Sequence, residues 1–208
     1  MSGQSIEAVI FDLGNVLIDF DYYIAINRIS LFAAKSPNQI FELFFDSKLT
    51  ALFEEAKISP EEFFSKVKEM LGLKLDYEGF LPIWNEIFFL TPKNEQVYKI
   101  AQELKDNYAL ALISNVNILH FDYIKKQFPA LSLFKNIVTS CEVKATKPSP
   151  LIYQKALDEL GASPQNTFYT DDRPELVEGA RSLGIKGFIF KGAAQLRKDL
   201  LASGASLN

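Results

Sequence analysis

The chain holds a single cysteine, Cys141, among its 208 residues. One thiol cannot close an intramolecular disulfide or build a cysteine-rich metal centre, so any metal must be held by other ligands. An excess of one charge sign is also missing. The 22 Lys and Arg against 26 Asp and Glu leave a formal charge of -4, which gives no general electrostatic reason to bind nucleic acid or an acidic membrane. An anionic ligand therefore needs local positive groups. No apolar run is long enough to span a bilayer, and residues 1–14 lack a basic stretch followed by a secretory-length apolar segment. A cytoplasmic location is the expectation. Internal repeats and low-complexity tracts are absent, and no G-x-G-x-x-G follows the first apolar run, which argues against a dinucleotide-binding protein.

What is present is ordinary globular material, 48% hydrophobic and 23% charged, long enough for one domain or a domain with a sizeable insert. Five apolar runs of strand length occur at 8–11, 109–113, 136–139, 167–170 and 187–190, and helical periodicity lies between most of them. Apolar runs without polar alternation suit strands covered on both faces, as in parallel sheets. The alternation predicts an α/β fold, a Rossmann-like doubly wound parallel sheet. Between roughly Asp19 and Leu90 the rhythm breaks. No strand is evident there, while Phe41, Phe44 and Phe45, then Leu52 and Phe53, then Phe63, Phe64, Val67 and Leu71 recur at helical spacing. Ser59-Pro60-Glu61-Glu62 has the form of a capping box with proline in the first turn. A crossover of this length must fold as a unit of its own. The expected division is an α/β core at 1–18 and 90–208 with an α-helical cap at 19–89, inserted after strand one. The aromatic stripe, Trp84 included, is expected to pack the cap's core.

The polar residues of interest stand where the apolar runs end. Asp12 follows Val9-Ile10-Phe11 and precedes Leu13-Gly14-Asn15, and ligands of open α/β sheets bind outside the carboxyl ends of strands. Gly14 is expected to let the backbone turn tightly there. The second run ends in Ser114-Asn115, which offers a hydroxyl and helix-N-terminal amides to an anion, though either residue serves equally well as a helix cap. After the third, Lys147 stands beside Pro148, just before a helix expected near Pro150. The fourth ends in Asp171-Asp172, adjacent carboxylates that invite a divalent cation such as magnesium. Asp172-Arg173-Pro174-Glu175 also has the form of a capping box, which leaves Asp171 the better metal ligand.

Taken in order, the four segments resemble the motifs of the haloacid dehalogenase-like hydrolase superfamily, with Asp12-Leu13-Gly14-Asn15 as the first, Ser114-Asn115 the second, Lys147-Pro148 the third and Asp171-Asp172 the fourth. The likeness through Asp12–Asn15 and Ser114-Asn115-Val116-Asn117 is to its bacterial sugar-phosphatase branch, which includes α-glucose-1-phosphatase. The resemblance implies a Mg2+-dependent phosphatase acting on a small phosphorylated metabolite. Asp12 would form an aspartyl phosphate that water then hydrolyses. The metal would be held by Asp12, the Gly14 carbonyl, Asp171 and Asp172. Ser114 and the amide of Asn115 would hold phosphoryl oxygens, and Lys147 would offset charge between nucleophile and phosphate.

Two positions depart from that pattern. Most phosphatases of the superfamily carry a second aspartate two residues after the nucleophile, as general acid and base, where this chain has Gly14. His120, expected on a solvent-facing helix, and Asp19 are the candidate substitutes. Leu176 replaces an asparagine common after the aspartate pair, which predicts a missing polar contact, one that could orient Lys147. The alternatives are a catalytically weak or inactive phospho-ligand binding protein of the same fold and, with less support, a 2-haloacid dehalogenase. Paired carboxylates without a cation would repel an incoming haloacid.

Overall fold

The computed structural model describes residues 6–45 and 48–207, with the side chain of Phe45 outside the described set. In chain order the elements are β1 (Ala8–Asp12), β2 (Asp19–Phe20), α1 (Tyr22–Ser30), α2 (Pro37–Phe45), α3 (Lys48–Glu54), α4 (Pro60–Leu71), α5 (Tyr77–Asn85) and β3 (Phe88–Phe89). There follow α6 (Pro92–Leu104), β4 (Ala109–Ser114), α7 (Ile118–Gln127), β5 (Asn136–Thr139), α8 (Ser140–Val143), α9 (Pro150–Leu160), β6 (Thr167–Asp171), α10 (Pro174–Arg181), β7 (Lys186–Ile189) and α11 (Ala193–Ala202).

Five strands form one parallel sheet in the order β5-β4-β1-β6-β7. Side chains of β1 alternate between its faces, as the period of two requires. Val9 and Phe11 join a cluster with α6, α7 and α11 through Val97, Ile124 and Leu196. Ile10 faces the opposite layer, with Ile152, Tyr153 and Ala156 of α9 and Ala180 of α10. Both faces are covered, which is why the strands read as unbroken apolar runs. The chain order moves outward from β1 in both directions, so β1 sits at the switch point, where open α/β sheets leave a crevice at the strand ends.

The helical segment α1–α5 has an apolar core of its own, built from Ile26, Phe44, Phe53, Phe63, Phe80 and Trp84 among others. Phe53 and Phe63 stack with centroids 4.3 Å apart, and Phe63 lies 5.0 Å from Trp84. The expected capping box of α4 is formed: Glu62 N donates to Ser59 Oγ, and Ser59 N donates to Glu62 Oε2.

One expectation fails in this region. Asp19–Phe20 and Phe88–Phe89 are strands, paired antiparallel as Asp19↔Phe89 and Phe20↔Phe88. A two-residue strand has no period, and two consecutive phenylalanines fit a helical stripe as well as a strand, so nothing in the local pattern separates the two. This short ribbon joins the helical segment to the sheet. Asp19 anchors it by accepting from Lys93 Nζ at 2.5 Å, Asn94 Nδ2 at 3.1 Å and Thr91 Oγ1 at 3.0 Å.

Candidate active site

Register brings the strand-end residues together. Asp12 pairs with Ile113 across β1 and β4, so Ser114 lies one residue further along the same rim. Phe11 pairs with Thr170 across β1 and β6, which sets Asp171 beside Asp12. All three side chains are buried, as is Lys147, which arrives from the loop before α9. Its ammonium stands between the two aspartates, donating to Asp12 Oδ1 at 2.6 Å and to Asp171 Oδ2 at 2.7 Å. A buried ion is tolerated only when paired and hydrogen-bonded, and here each partner meets that condition.

Second contacts hold the lysine in position. The Asn115 side chain grips its backbone from both sides, since Lys147 N donates to Asn115 Oδ1 at 2.7 Å and Asn115 Nδ2 donates to the Lys147 carbonyl at 3.1 Å. The Tyr169 hydroxyl donates to Asp171 Oδ2 and lies 3.3 Å from Lys147 Nζ. Leu176 is buried and makes no polar side-chain contact. The orienting contact expected to be missing at Leu176 is thus made by Asn115 and Tyr169. Tyr169 carries no motif signal, but it stands two residues before Asp171 and so on the same face of β6.

The cap alternatives weighed for Ser114, Asn115 and Asp172 do not hold. The N-cap of α7 is Asn117, whose side chain accepts from His120 N, leaving Ser114 and Asn115 outside the helix. The N-cap of α10 is Arg173. Asp171 Oδ1 accepts from Arg173 N at 2.9 Å, and Asp172 Oδ2 accepts from Asn15 Nδ2 at 2.9 Å. Both aspartates therefore face the site. The turn after β1 also differs from expectation. Its left-handed residue is Asn15, at φ 56, whereas Gly14 is needed for space, since a Cβ there would lie 2.8 Å from a ring carbon of Phe20.

Asp12, Asp171 and Asp172 each offer an oxygen within 4.8 Å of the others. One ammonium does not neutralise three carboxylates. Burial, opposed by Lys147 and reinforced by the charges of Asp171 and Asp172, pushes the Asp12 carboxyl up to about 7. Burial likewise raises Asp172. Burial alone would lower Lys147, but the charges of Asp12 and Asp171 outweigh it and raise the ammonium. Three clustered, charge-strained oxygen donors fit a hard divalent cation, which commonly takes one or two carboxylates besides other oxygen ligands.

Above the rim opens a cavity of ≈ 750 Å³, lined by Asp12, Gly14, Ser114, Asn115, Lys147 and Asp172 below and by residues of the helical segment above. Tyr22, Tyr23 and Glu54 are among the polar residues of the helical segment that line it. Arg28 instead pairs with Glu86 at 3.1 Å, and Lys48 is an exposed residue outside the lining. Phe41, Phe44 and Arg173 also line it, unforeseen except that Arg173 directly follows the aspartate pair. Trp84 packs in the helical core as expected. The side chain of Phe45, a member of the same aromatic stripe, lies outside the described residues.

Neither candidate replacement for the absent second aspartate lines the main cavity, although His120 borders a smaller one beside Gly14, Ser114 and Asn115. His120, expected at the surface, is buried with its ring stacked on Trp84 at 4.8 Å and its Nε2 3.0 Å from the Trp84 carbonyl. Burial drives its pKa down to about 4, against that hydrogen bond. For Asp19, burial is outweighed by the bonds from Lys93, Asn94 and Thr91, which hold its carboxyl below the usual range as a structural anion.

A parallel sheet with a helical segment inserted after its first strand, and four strand-end motifs meeting at one rim, define a hydrolase fold of known type. The profile of the haloacid dehalogenase-like hydrolase family matches residues 9–190, and the chain belongs to that family. Among its relatives is a D-ribitol-5-phosphate phosphatase of Bacteroides thetaiotaomicron, 21% identical over 201 residues, covering 94% of this chain and 97% of that one. A phosphatase of Mycobacterium tuberculosis is 27% identical over 223 residues, covering 99% and 98%. The crystal structure of a family enzyme from B. thetaiotaomicron, in complex with magnesium and inorganic phosphate, is similar with a TM-score of 0.79 at 27% identity, over 90% of this chain and 95% of that one. No described helix is long and apolar enough to cross a membrane.

Proposed function

We propose that the protein is a magnesium-dependent phosphatase of small phosphate monoesters, with a sugar or polyol phosphate as substrate. The observation that carries this reading is the Asp12–Lys147–Asp171 cluster at the floor of a roofed cavity, with Asp172 beside it. It is supported by the magnesium and phosphate bound in the similar structure and by the polyol phosphate in the name of one relative. Polar residues of the roof, Tyr22, Tyr23 and Thr50, suit a hydroxylated substrate.

In this reading Asp12 is the nucleophile, attacking phosphorus to form an aspartyl phosphate that water then hydrolyses. Lys147 restrains Asp12 and Asp171 and neutralises charge as the phosphoryl group approaches. Ser114 and the backbone amide of Asn115 receive phosphoryl oxygens, while the Asn115 side chain holds Lys147. Asp12, Asp171, Asp172 and the Gly14 carbonyl would hold Mg2+, which supplies positive charge against the phosphoryl oxygens. Residues 19–89 act as the cap, excluding water and selecting the ester. The test is phosphate release from p-nitrophenyl phosphate and a panel of sugar and polyol phosphates, with Mg2+ or with EDTA. Release with Mg2+ and none with EDTA is expected. Unchanged release in EDTA removes the metal from the mechanism, and no release from any ester favours a phospho-ligand binder.

A further inference from the structure

We propose that Glu54, at the end of α3 in the helical segment, is the proton donor and acceptor of the reaction, taking the part of the carboxyl absent at position 14. The inference rests on the phosphatase reading and deepens it. Glu54 lines the main cavity and also a smaller one shared with Gly14, Phe20, Ser114, Asn115 and His120; Glu54 supplies its carboxyl group, while burial keeps the His120 ring neutral and bound to the Trp84 carbonyl. The other acids near the opening are committed elsewhere. Asp21 caps α1 by accepting from Tyr23 N, Asp172 is held by Asn15, and Asp19 is bound to Lys93.

Glu54 is also fixed to the core. Ser140 Oγ donates to its carbonyl at 2.7 Å and accepts from Val116 N at 3.0 Å, tying the end of α3 to the loop that carries Asn115. The next residue, Glu55, accepts from Thr146 Oγ1 at 3.1 Å, directly before Lys147. The Phe20 ring occupies the space that a side chain at position 14 would need, so an acid there would have to displace the ring, whereas Glu54 brings its carboxyl from above. Burial pushes Glu54 up to about 7, with Arg173 and Lys147 opposing and Glu55 reinforcing; Tyr22 faces it from α1. A carboxyl of that kind carries a proton near neutrality and can return it.

The proton balance is simple. As the bond from phosphorus to the ester oxygen breaks and that to Asp12 forms, the Glu54 proton passes to the departing oxygen and yields the alcohol. As water then adds to phosphorus, Glu54 takes a proton from it, and the electron pair of the broken aspartyl bond returns to Asp12. The sum is ester plus water to alcohol plus phosphate.

Glu54→Gln tests this with p-nitrophenyl phosphate and the best alkyl phosphate of the panel. On the alkyl ester kcat is expected to fall by about 10²–10⁴-fold, and the decline in rate as pH rises through neutrality, the limb set by loss of the Glu54 proton, should vanish. p-Nitrophenolate leaves without a proton, so a burst of one equivalent per enzyme should survive in Glu54→Gln and be absent in Asp12→Asn. Glu54→Asp keeps a carboxyl and should retain the limb, with a rate between wild type and the Gln variant. Wild-type kcat on the alkyl ester in Glu54→Gln, or equal losses in the Asp and Gln variants, would overturn the assignment and leave the phosphatase reading intact. A wild-type protein inactive on every ester removes both.

Discussion

Lys147 Nζ lies 2.6 Å from Asp12 Oδ1 with almost none of either side chain exposed, although the two residues are 135 positions apart in the chain. The pair joins stability to chemistry, because removing one partner leaves the other's charge largely buried and unpaired.

Lys147→Met is therefore expected to abolish turnover and to destabilise the fold by about 3–5 kcal/mol, the usual consequence of breaking a buried pair from one side. Urea unfolding, with Mg2+ omitted, measures the second effect. An unchanged midpoint would mean that the aspartates already dispose of their charge without the lysine.

Metal binding has a readout that needs no substrate. A cation held by Asp12, Asp171 and Asp172 in the folded state alone should raise the melting temperature as its concentration rises, reaching about 2.7 kcal/mol of stabilisation at one hundred times Kd. Asp172→Asn, whose side chain can still accept from Asn15, should weaken that response. Identical Mg2+ titrations of the two proteins count against Asp172 as a ligand.

The contact between Gly14 and Phe20 predicts a specific coupling. Gly14→Ala inserts a Cβ where the Phe20 ring now lies, an overpacking expected to cost about 1–3 kcal/mol. In a Phe20→Ala background the same change should be close to neutral, so the double-mutant cycle should show non-additivity. Additive effects would place the strain elsewhere in the turn. Gly14→Asp should meet the same obstacle, and it should alter turnover of poor leaving groups only when Phe20 is also reduced.

His120 makes a stability prediction with a definite sign. Its folded pKa is depressed to about 4 by burial, whereas an unfolded histidine titrates near about 6.5. Below about pH 6.5 the unfolded chain therefore binds a proton that the folded chain refuses. Relative to His120→Gln, wild-type stability should be level above that pH and decline as pH falls toward about 4. Denaturant melts of both proteins across this window isolate the histidine from the carboxylates. A constant difference would show that the ring titrates alike in the folded and unfolded states.

The strands and the rim were legible in the sequence because they depend on local patterns. A parallel strand covered on both faces must be apolar throughout, and a carboxylate, hydroxyl or amide at its end is visible as the first polar residue after the run. Asp12, Ser114 and Asp171 announce themselves in that way. Periodicity likewise exposed the helical segment, and Ser59 with Glu62 marked the start of α4. Other features depend on partners remote in the chain. Asp172 has the sequence form of a cap, and only Asn15, 157 residues away, turns it toward the site. His120 reads as a polar residue on a surface helix until Trp84 covers it. Glu54 is one acid among many until α3 is pinned by Ser140 and Thr146 over the strand ends. Burial and proximity are sums over the whole fold, and so protonation, proton transfer and the shape of the cavity were decided in three dimensions alone.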